Sequence, residues 1–307
     1  MKIFRGDPAS WNEDRTPYAV AIGVFDGVHR GHMAVFEALR ASAHGLDVCA
    51  LTFGSLPEEI VSANPAPPLL TTIERRIALL EECGLDAVAI IDFDDDVRHL
   101  SPRAFVERFV VGALNADLVA VGQGFRFGYD ASGSVDDLRL LGGDLGFDVI
   151  ETQIVSLHGT EVRSSAIRAA IATGSVELAA RMLGRPFEIE GSVVTGDERG
   201  RSLGFPTANI TMPSGLVRPA GGVYAVRCTV DGQVFDGVSN VGTRPTFGGS
   251  DETIEVHLYD IDVDLYDKTV RVEFMDRIRN EQRFTSVDAL VAQIEADIEV
   301  AKEILAP

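Results

Sequence analysis

Gly23-Val24-Phe25-Asp26-Gly27-Val28-His29-Arg30-Gly31-His32 is the stretch that decides how this chain reads. The apolar run Tyr18–Phe25 leads into it and a helical period, Met33–Ala43, leads out, so it is a strand–turn–helix junction. Its glycines let the backbone approach a phosphate closely, and a helix N-terminus adds unpaired N–H groups and the positive end of a dipole. His29 and His32 are three residues apart, which puts both imidazoles on one face of the first helical turn. Two such donors suit a triphosphate whose charge shifts during group transfer. No covalent nucleophile is needed if a second phosphate attacks the α-phosphorus directly.

The rhythm of this junction continues outward. Val48–Phe53, Asp86–Asp92, Asp117–Gly122 and Phe147–Ile154 read as buried strands. Thr72–Cys83, Ser101–Ala113 and Val135–Leu145 between them read as helices. Strand–helix alternation predicts a parallel sheet with ligands at the carboxyl ends of its strands. After about residue 183 the pattern becomes one of short strands joined by turns. These are Phe187–Thr195, Val223–Val230, Val234–Val241, Thr253–Asp260 and Val270–Met275, with Asp231-Gly232 as a hairpin signal. Val287–Leu305 follows, one apolar helical stripe capped by Ser286. The pattern predicts a small antiparallel β-barrel with a terminal helix, a linker at Leu183–Pro186, and domains spanning 1–182 and 183–307.

Composition narrows the function. The chain has 307 residues with 46% apolar and 24% charged, ample for two cores. Twenty-seven basic against 47 acidic residues give a net charge of −20, a field that repels phosphate backbones and argues against nucleic-acid partners. No apolar run has membrane-spanning length, and the N-terminus lacks the apolar core of a secretory signal, so a cytoplasmic protein is expected. Cys49, Cys83 and Cys228 are widely spaced and read as core residues. An oligomer is possible but nothing in the sequence indicates one.

The second half carries its own chemistry. Gly196, Gly200 and Gly204 fall four apart, followed by Phe205-Pro206-Thr207-Ala208-Asn209, a loop suited to fold over phosphates. The Thr207 hydroxyl and the Asn209 carbonyl are hard oxygens fit for Mg²⁺. In Thr253–Leu258 the apolar residues alternate with Glu255 and His257, which leaves those two on the opposite face. Glu255 is placed to take a proton from a hydroxyl attacking a γ-phosphate. His257 reads as a packing residue of the barrel face.

Phe25-Asp26-Gly27-Val28-His29-Arg30-Gly31-His32 resembles the HxGH nucleotidyltransferases, in particular the adenylyltransferase module of bacterial bifunctional riboflavin kinase/FAD synthetases. Leu70-Thr71-Thr72, His99–Val106 and Phe125-Arg126-Phe127-Gly128 echo that module in order, and Arg163–Arg168 resembles the superfamily's second signature. Gly204–Asn209 closely resembles the riboflavin kinase signature, and Asn240–Phe247 and Arg279–Phe284 match further kinase segments. The resemblance implies a Rossmann-like N-terminal domain, with ATP, riboflavin, FMN and FAD as substrates and products and Mg²⁺ as cofactor. It implies His29, His32 and Glu255 as catalytic residues. Nucleotide contacts would come from Gly23, Phe25, Asp26, Gly27, Gly31, Ser164, Ser165 and Arg168, and from Gly196, Gly200, Gly204 and Pro206 in the barrel. Flavin contacts would come from Phe125, Arg126, Asn240, Arg279, Glu281 and Phe284, with Thr207 and Asn209 on the metal. Gly54, Gly124 and Arg163 depart from the family pattern. They leave open a second reading, an active kinase whose N-terminal domain binds nucleotide without catalysis.

Overall fold

In the computed structural model, which describes residues 1–55, 65–195, 203–246, 249–259 and 265–306, the apolar runs of the first half become parallel strands. They are β1 (Lys2–Phe4), β2 (Tyr18–Ile22), β3 (Asp47–Phe53), β4 (Ala87–Ile91), β5 (Ala116–Gly122) and β6 (Asp148–Thr152). They pair in the order β1-β4-β3-β2-β5-β6. β2 and β4 are buried at every position, as strands covered on both faces must be. Alternate residues of β2 feed two cores. Tyr18, Val20 and Ile22 pack with Phe105, Phe109 and Leu138, whereas Ala19 and Ala21 pack with Phe36, Leu39 and Leu80. The chain leaves β2 toward β3 on one side and returns to β5 on the other, so the turn after β2 sits where the strand order reverses, the usual ligand position in such sheets.

The described α-helices of this half are α1 (Arg30–Ser42), α2 (Ile73–Glu82), α3 (Asp95–Arg98), α4 (Pro102–Phe105) and α5 (Val135–Leu145). Ser101 caps α4 by accepting from the Ala104 amide. The helix expected over 101–113 changes character half-way, because Val106–Ala113 is a π-helix. Gly112 permits the wider turn, since a Cβ there would stand 2.6 Å from the Glu107 carbonyl oxygen. A short hairpin, β7 (Ser156–Leu157) and β8 (Thr160–Glu161), follows the sheet.

α6 (Ser164–Ala172) and α7 (Val176–Leu183) precede the barrel, with Gly184 in the left-handed conformation closing α7. Sequence periodicity singled out neither helix. The barrel comprises β9 (Phe187–Val194), β10 (Ala208–Thr211), β11 (Gly222–Val230), β12 (Gln233–Thr246), β13 (Gly249–Leu258) and β14 (Thr269–Arg279). It closes in the order β10-β13-β12-β11-β14-β9, every pairing antiparallel. α8 (Val287–Leu305) packs Ala301 and Leu305 against Ala225 and Val238 on the outer face of the barrel. The chain divides into two compact units, Met1–Ser164 and Ser165–Pro307. Among the described residues no helix is long and apolar enough to cross a membrane.

Candidate functional site

His29 is the N-cap of α1, and its bond is reciprocal. The His29 amide donates to His32 Nδ1 at 3.3 Å and the His32 amide donates to His29 Nδ1 at 3.4 Å. The rings stack with centroids 3.5 Å apart. Because each Nδ1 accepts an amide hydrogen, the neutral rings carry their protons on Nε2. The cap thereby makes two N–H donors of defined orientation at a helix N-terminus. A Cβ at Gly31 would stand 3.0 Å from His29 Cε1 and 3.2 Å from the Val162 carbonyl oxygen, so a side chain there would press on the imidazole pair.

A buried network holds the turn from below. Asp26 is 1% exposed, and its carboxylate accepts from the Leu70 amide at 3.0 Å and the Thr71 amide at 3.2 Å. The Thr71 hydroxyl accepts from the Gly27 amide at 3.3 Å. Arg76, fully buried, donates to the carbonyls of Val24 and Phe53 and lies 4.0 Å from Asp26. These contacts hold Phe25 (φ 53°) and Val28 (φ 39°) in the left-handed region, costly conformations that persist only where the surroundings dictate them. The Ser164 hydroxyl donates to the Asp26 carbonyl at 3.0 Å.

Gly23 leads from β2 into a cavity of about 710 Å³ lined also by Phe53, Phe93, Phe105, Phe125 and Arg126. Phe125 stacks on Phe127 at 5.6 Å, and Phe53 meets Phe93 edge-on. A flat aromatic ligand fits such walls. Gly128 is obligatory, since it has φ 71° and its Cβ would fall 2.7 Å from the Pro102 nitrogen. Of the three departures from the family pattern, Gly54 would hold a Cβ in ordinary contact with Asp92 and Ile90, Gly124 stands at φ 76° in the left-handed region that favours glycine, and the Arg163 guanidinium pairs with Glu161 at 2.7 Å. Ser165 is exposed and Arg168 half-buried on α6.

The barrel site is a cavity of about 340 Å³ that brings together Thr207, Asn240, Glu255, Arg279, Glu281 and Phe284. Strand register explains why. Glu255 pairs with Asn209 on one side and Asn240 on the other, Asn240 pairs with Val223, and Val223 pairs with Arg279. Directly paired residues share a face, so these side chains form one row around the barrel. Ile254, Val256 and Leu258 point inward and are buried, as the alternation predicts. α8 supplies the opposite wall through Leu290, Ile294 and Asp297. Gly204, with φ 91°, closes the turn before Phe205. Gly196 and Gly200, and the side chain of Arg244, lie outside the described residues.

Two residues that line the cavity are also structural. Arg279 grips Asp297 through Nε and Nη2, at 2.9 and 2.7 Å, and its guanidinium lies 5.7 Å from the Phe284 ring centre. The Gln293 amide completes the Asp297 carboxylate at 2.9 Å. The Glu281 carboxylate would lie 2.9 Å from a Cβ on Gly221 and 2.6 Å from one on Gly242, so a side chain at either position would displace it.

The FAD synthetase family model matches residues 11–166, and the riboflavin kinase family model matches 183–305. The chain is 40% identical over 306 residues to the bifunctional riboflavin kinase/FMN adenylyltransferase of Escherichia coli K12, covering 99% of this chain and 97% of the relative. It belongs to the bifunctional riboflavin kinase/FMN adenylyltransferase family. Relatives with the same description from Pseudomonas fluorescens, at 42% identity over 93% of this chain and 92% of the relative, and Bacillus subtilis, at 35% over 93% and 92%, agree. A crystal structure of a Streptococcus pneumoniae protein described as a macrolide-efflux protein superposes with a TM-score of 0.90 at 30% identity, covering 98% of this chain and 99% of its own.

Sequence reasoning missed Arg76, Asp297, the aromatic residues Phe53, Phe93 and Phe105, and the hydrogen bond of the His257 ring to the Pro206 carbonyl. The first two left a trace, because each is a charge set into an otherwise apolar helical stripe. Arg76 falls between Ile73, Ile77 and Leu80, and Asp297 between Ile294, Ile298 and Ala301. A charge there must find a partner when the stripe is buried.

Proposed function

We propose that the barrel phosphorylates riboflavin to FMN with ATP and that the N-terminal module transfers AMP from a second ATP to FMN, giving FAD and pyrophosphate. The observation that carries this reading is the cavity that brings Thr207, Glu255 and Asn240 together, with Asn209 paired to Glu255 on the neighbouring strand. The kinase assignment falls on 183–307 and the adenylyltransferase assignment on 1–182, in line with the two family matches.

In the kinase step Glu255 accepts the proton of the riboflavin 5′-hydroxyl as that oxygen attacks the γ-phosphorus. One P–O bond forms, the bond to the β-phosphate oxygen breaks, and ADP leaves. Asn240, Glu281, Phe284 and the α8 residues Leu290 and Ile294 orient the flavin, and Arg279 holds α8 in place through Asp297. Gly196, Gly200, Gly204 and Pro206 are assigned to the nucleotide phosphates. Thr207 and Asn209 offer neutral hard oxygens next to a carboxylate, a donor set that fits Mg²⁺ with phosphates completing the shell. Bound there, the ion would neutralise charge on the transferring phosphoryl group.

In the adenylyl step an FMN phosphate oxygen attacks the α-phosphorus and pyrophosphate departs. His29 and His32 donate Nε2–H to the phosphates, and main-chain groups of Gly23–Gly27 and Gly31 shape the turn around them. Asp26 acts through its main chain, since its carboxylate is committed to Leu70 and Thr71. Ser164, Ser165 and Arg168 are assigned to the triphosphate, and Phe125 and Arg126 to the flavin. The chain acts in water on small molecules, and a cytoplasmic setting suits both substrates. Separate incubations with riboflavin and with FMN, each with ATP and Mg²⁺, test the reading. FMN from the first and FAD from the second are expected, and FMN without any FAD would favour a non-catalytic N-terminal domain.

A further inference from the structure

We propose that His257 is a positioning residue of the kinase site, its ring N–H fixing the segment that carries Thr207 and Asn209; the inference rests on the kinase reading of the barrel. The β10–β13 ladder pairs Ile210 with Ile254, Asn209 with Glu255 and Ala208 with Val256, and stops there. The chain beyond is Thr207 and then Pro206, which has no N–H to extend the ladder. The side chain of His257, the next residue along β13, supplies the missing link, with Nδ1 2.8 Å from the Pro206 carbonyl oxygen. A carbonyl only accepts, so Nδ1 is the donor, in the neutral or the protonated ring alike.

Aromatic neighbours set the plane of that ring. Phe205 meets it edge-on at 5.7 Å and Tyr259 at 6.0 Å. Thr207 is thereby anchored on both sides, by the Pro206 carbonyl before it and the Ala208–Val256 pair after it. The anchor lies two residues from Glu255 on the same strand face. The Thr207 hydroxyl is held relative to the base, although His257 itself needs no contact with the reacting atoms.

Three substitutions in the full chain test this. His257→Asn would place an amide donor where Nδ1 stands, His257→Gln would place it one carbon farther out, and His257→Leu would fill the space without a donor. Riboflavin phosphorylation is followed with Mg-ATP varied, and FAD formation from FMN on the same chain reports intact folding elsewhere. His257→Leu and His257→Gln are expected to raise the KM for Mg-ATP about tenfold, the effect of one lost hydrogen bond of about 1.4 kcal/mol. His257→Asn is expected to stay within about twofold of wild type, with FAD formation unchanged in all three. A wild-type KM in both His257→Leu and His257→Gln, or an asparagine variant as impaired as the glutamine one, would overturn the proposal. If His257→Leu does not fold, the asparagine–glutamine comparison decides alone. A wild-type chain that makes no FMN would instead overturn the kinase reading and this inference with it.

Discussion

The Arg279–Asp297 pair joins α8 to the barrel, and its removal has a calculable cost. Asp297 is 3% exposed and receives Arg279 Nε, Arg279 Nη2 and Gln293 Nε2. Replacing it by leucine leaves a largely buried guanidinium without its counter-charge, which costs about 3–5 kcal/mol. Replacing both residues by leucine removes the stranded charge, so the double variant should be more stable than Asp297→Leu alone by at least about 2 kcal/mol. The assay must see the barrel separately. Trp11, the sole tryptophan, is in the first unit, so its emission does not report on α8. Hydrogen exchange of peptides from 269–305 in a urea series reads the barrel, and Trp11 emission reads the first unit. For a urea slope of about 2 kcal/mol per molar, the exchange midpoint of Asp297→Leu should fall by about 1.5–2.5 M while the Trp11 midpoint stays put. A double variant no more stable than Asp297→Leu, or an Asp297→Leu midpoint unchanged, would refute the reasoning.

Three other expectations follow from single positions. Gly31→Ala improves helix propensity but presses a methyl on the His29 ring, so FAD formation should fall at least about tenfold with riboflavin phosphorylation intact; equal rates in both assays would contradict the packing argument. The Ser239 hydroxyl is fully buried inside the barrel with no hydrogen-bond partner among the described residues, so Ser239→Ala should leave exchange stability equal or higher by about 1 kcal/mol, and a loss of that size would show that the hydroxyl is satisfied. Burial pushes the Cys228 thiol from 9.0 up to about 11. A raised thiol pKa contributes stability that is complete below pH 9.0 and lost as pH climbs toward about 11, so the Tm of wild type should fall more steeply than that of Cys228→Ala over this interval, and parallel curves would contradict the assignment.

What could be read from sequence followed from periodicity and turn chemistry. β2, β3, β4, β5 and the terminal helix announced themselves because each is a continuous or single-stripe apolar pattern at the expected length. β1 and β10 are three and four residues long, too short for a period to register. The π-helix at Val106–Ala113 has the apolar pattern of an α-helix, and only its hydrogen bonds tell them apart. Asp26 illustrates a different limit. The resemblance implied a nucleotide contact for it, and its carboxylate binds the amides of Leu70 and Thr71, some 44 residues away in sequence. Long-range partners of this kind are set by tertiary packing, which local pattern does not encode. The register row Asn209–Glu255–Asn240 was legible only as separate motifs until strand pairing placed them side by side.

The most direct test of the two-site account is a product assay on three full chains, wild type, Glu255→Gln and His29→Ala, with ATP and Mg²⁺. Wild type should convert riboflavin to FMN and FMN to FAD with release of pyrophosphate. Glu255→Gln should lose the first conversion and keep the second, and His29→Ala should do the reverse. FMN formation by wild type without FAD from supplied FMN, or loss of both activities on either single substitution, would contradict it.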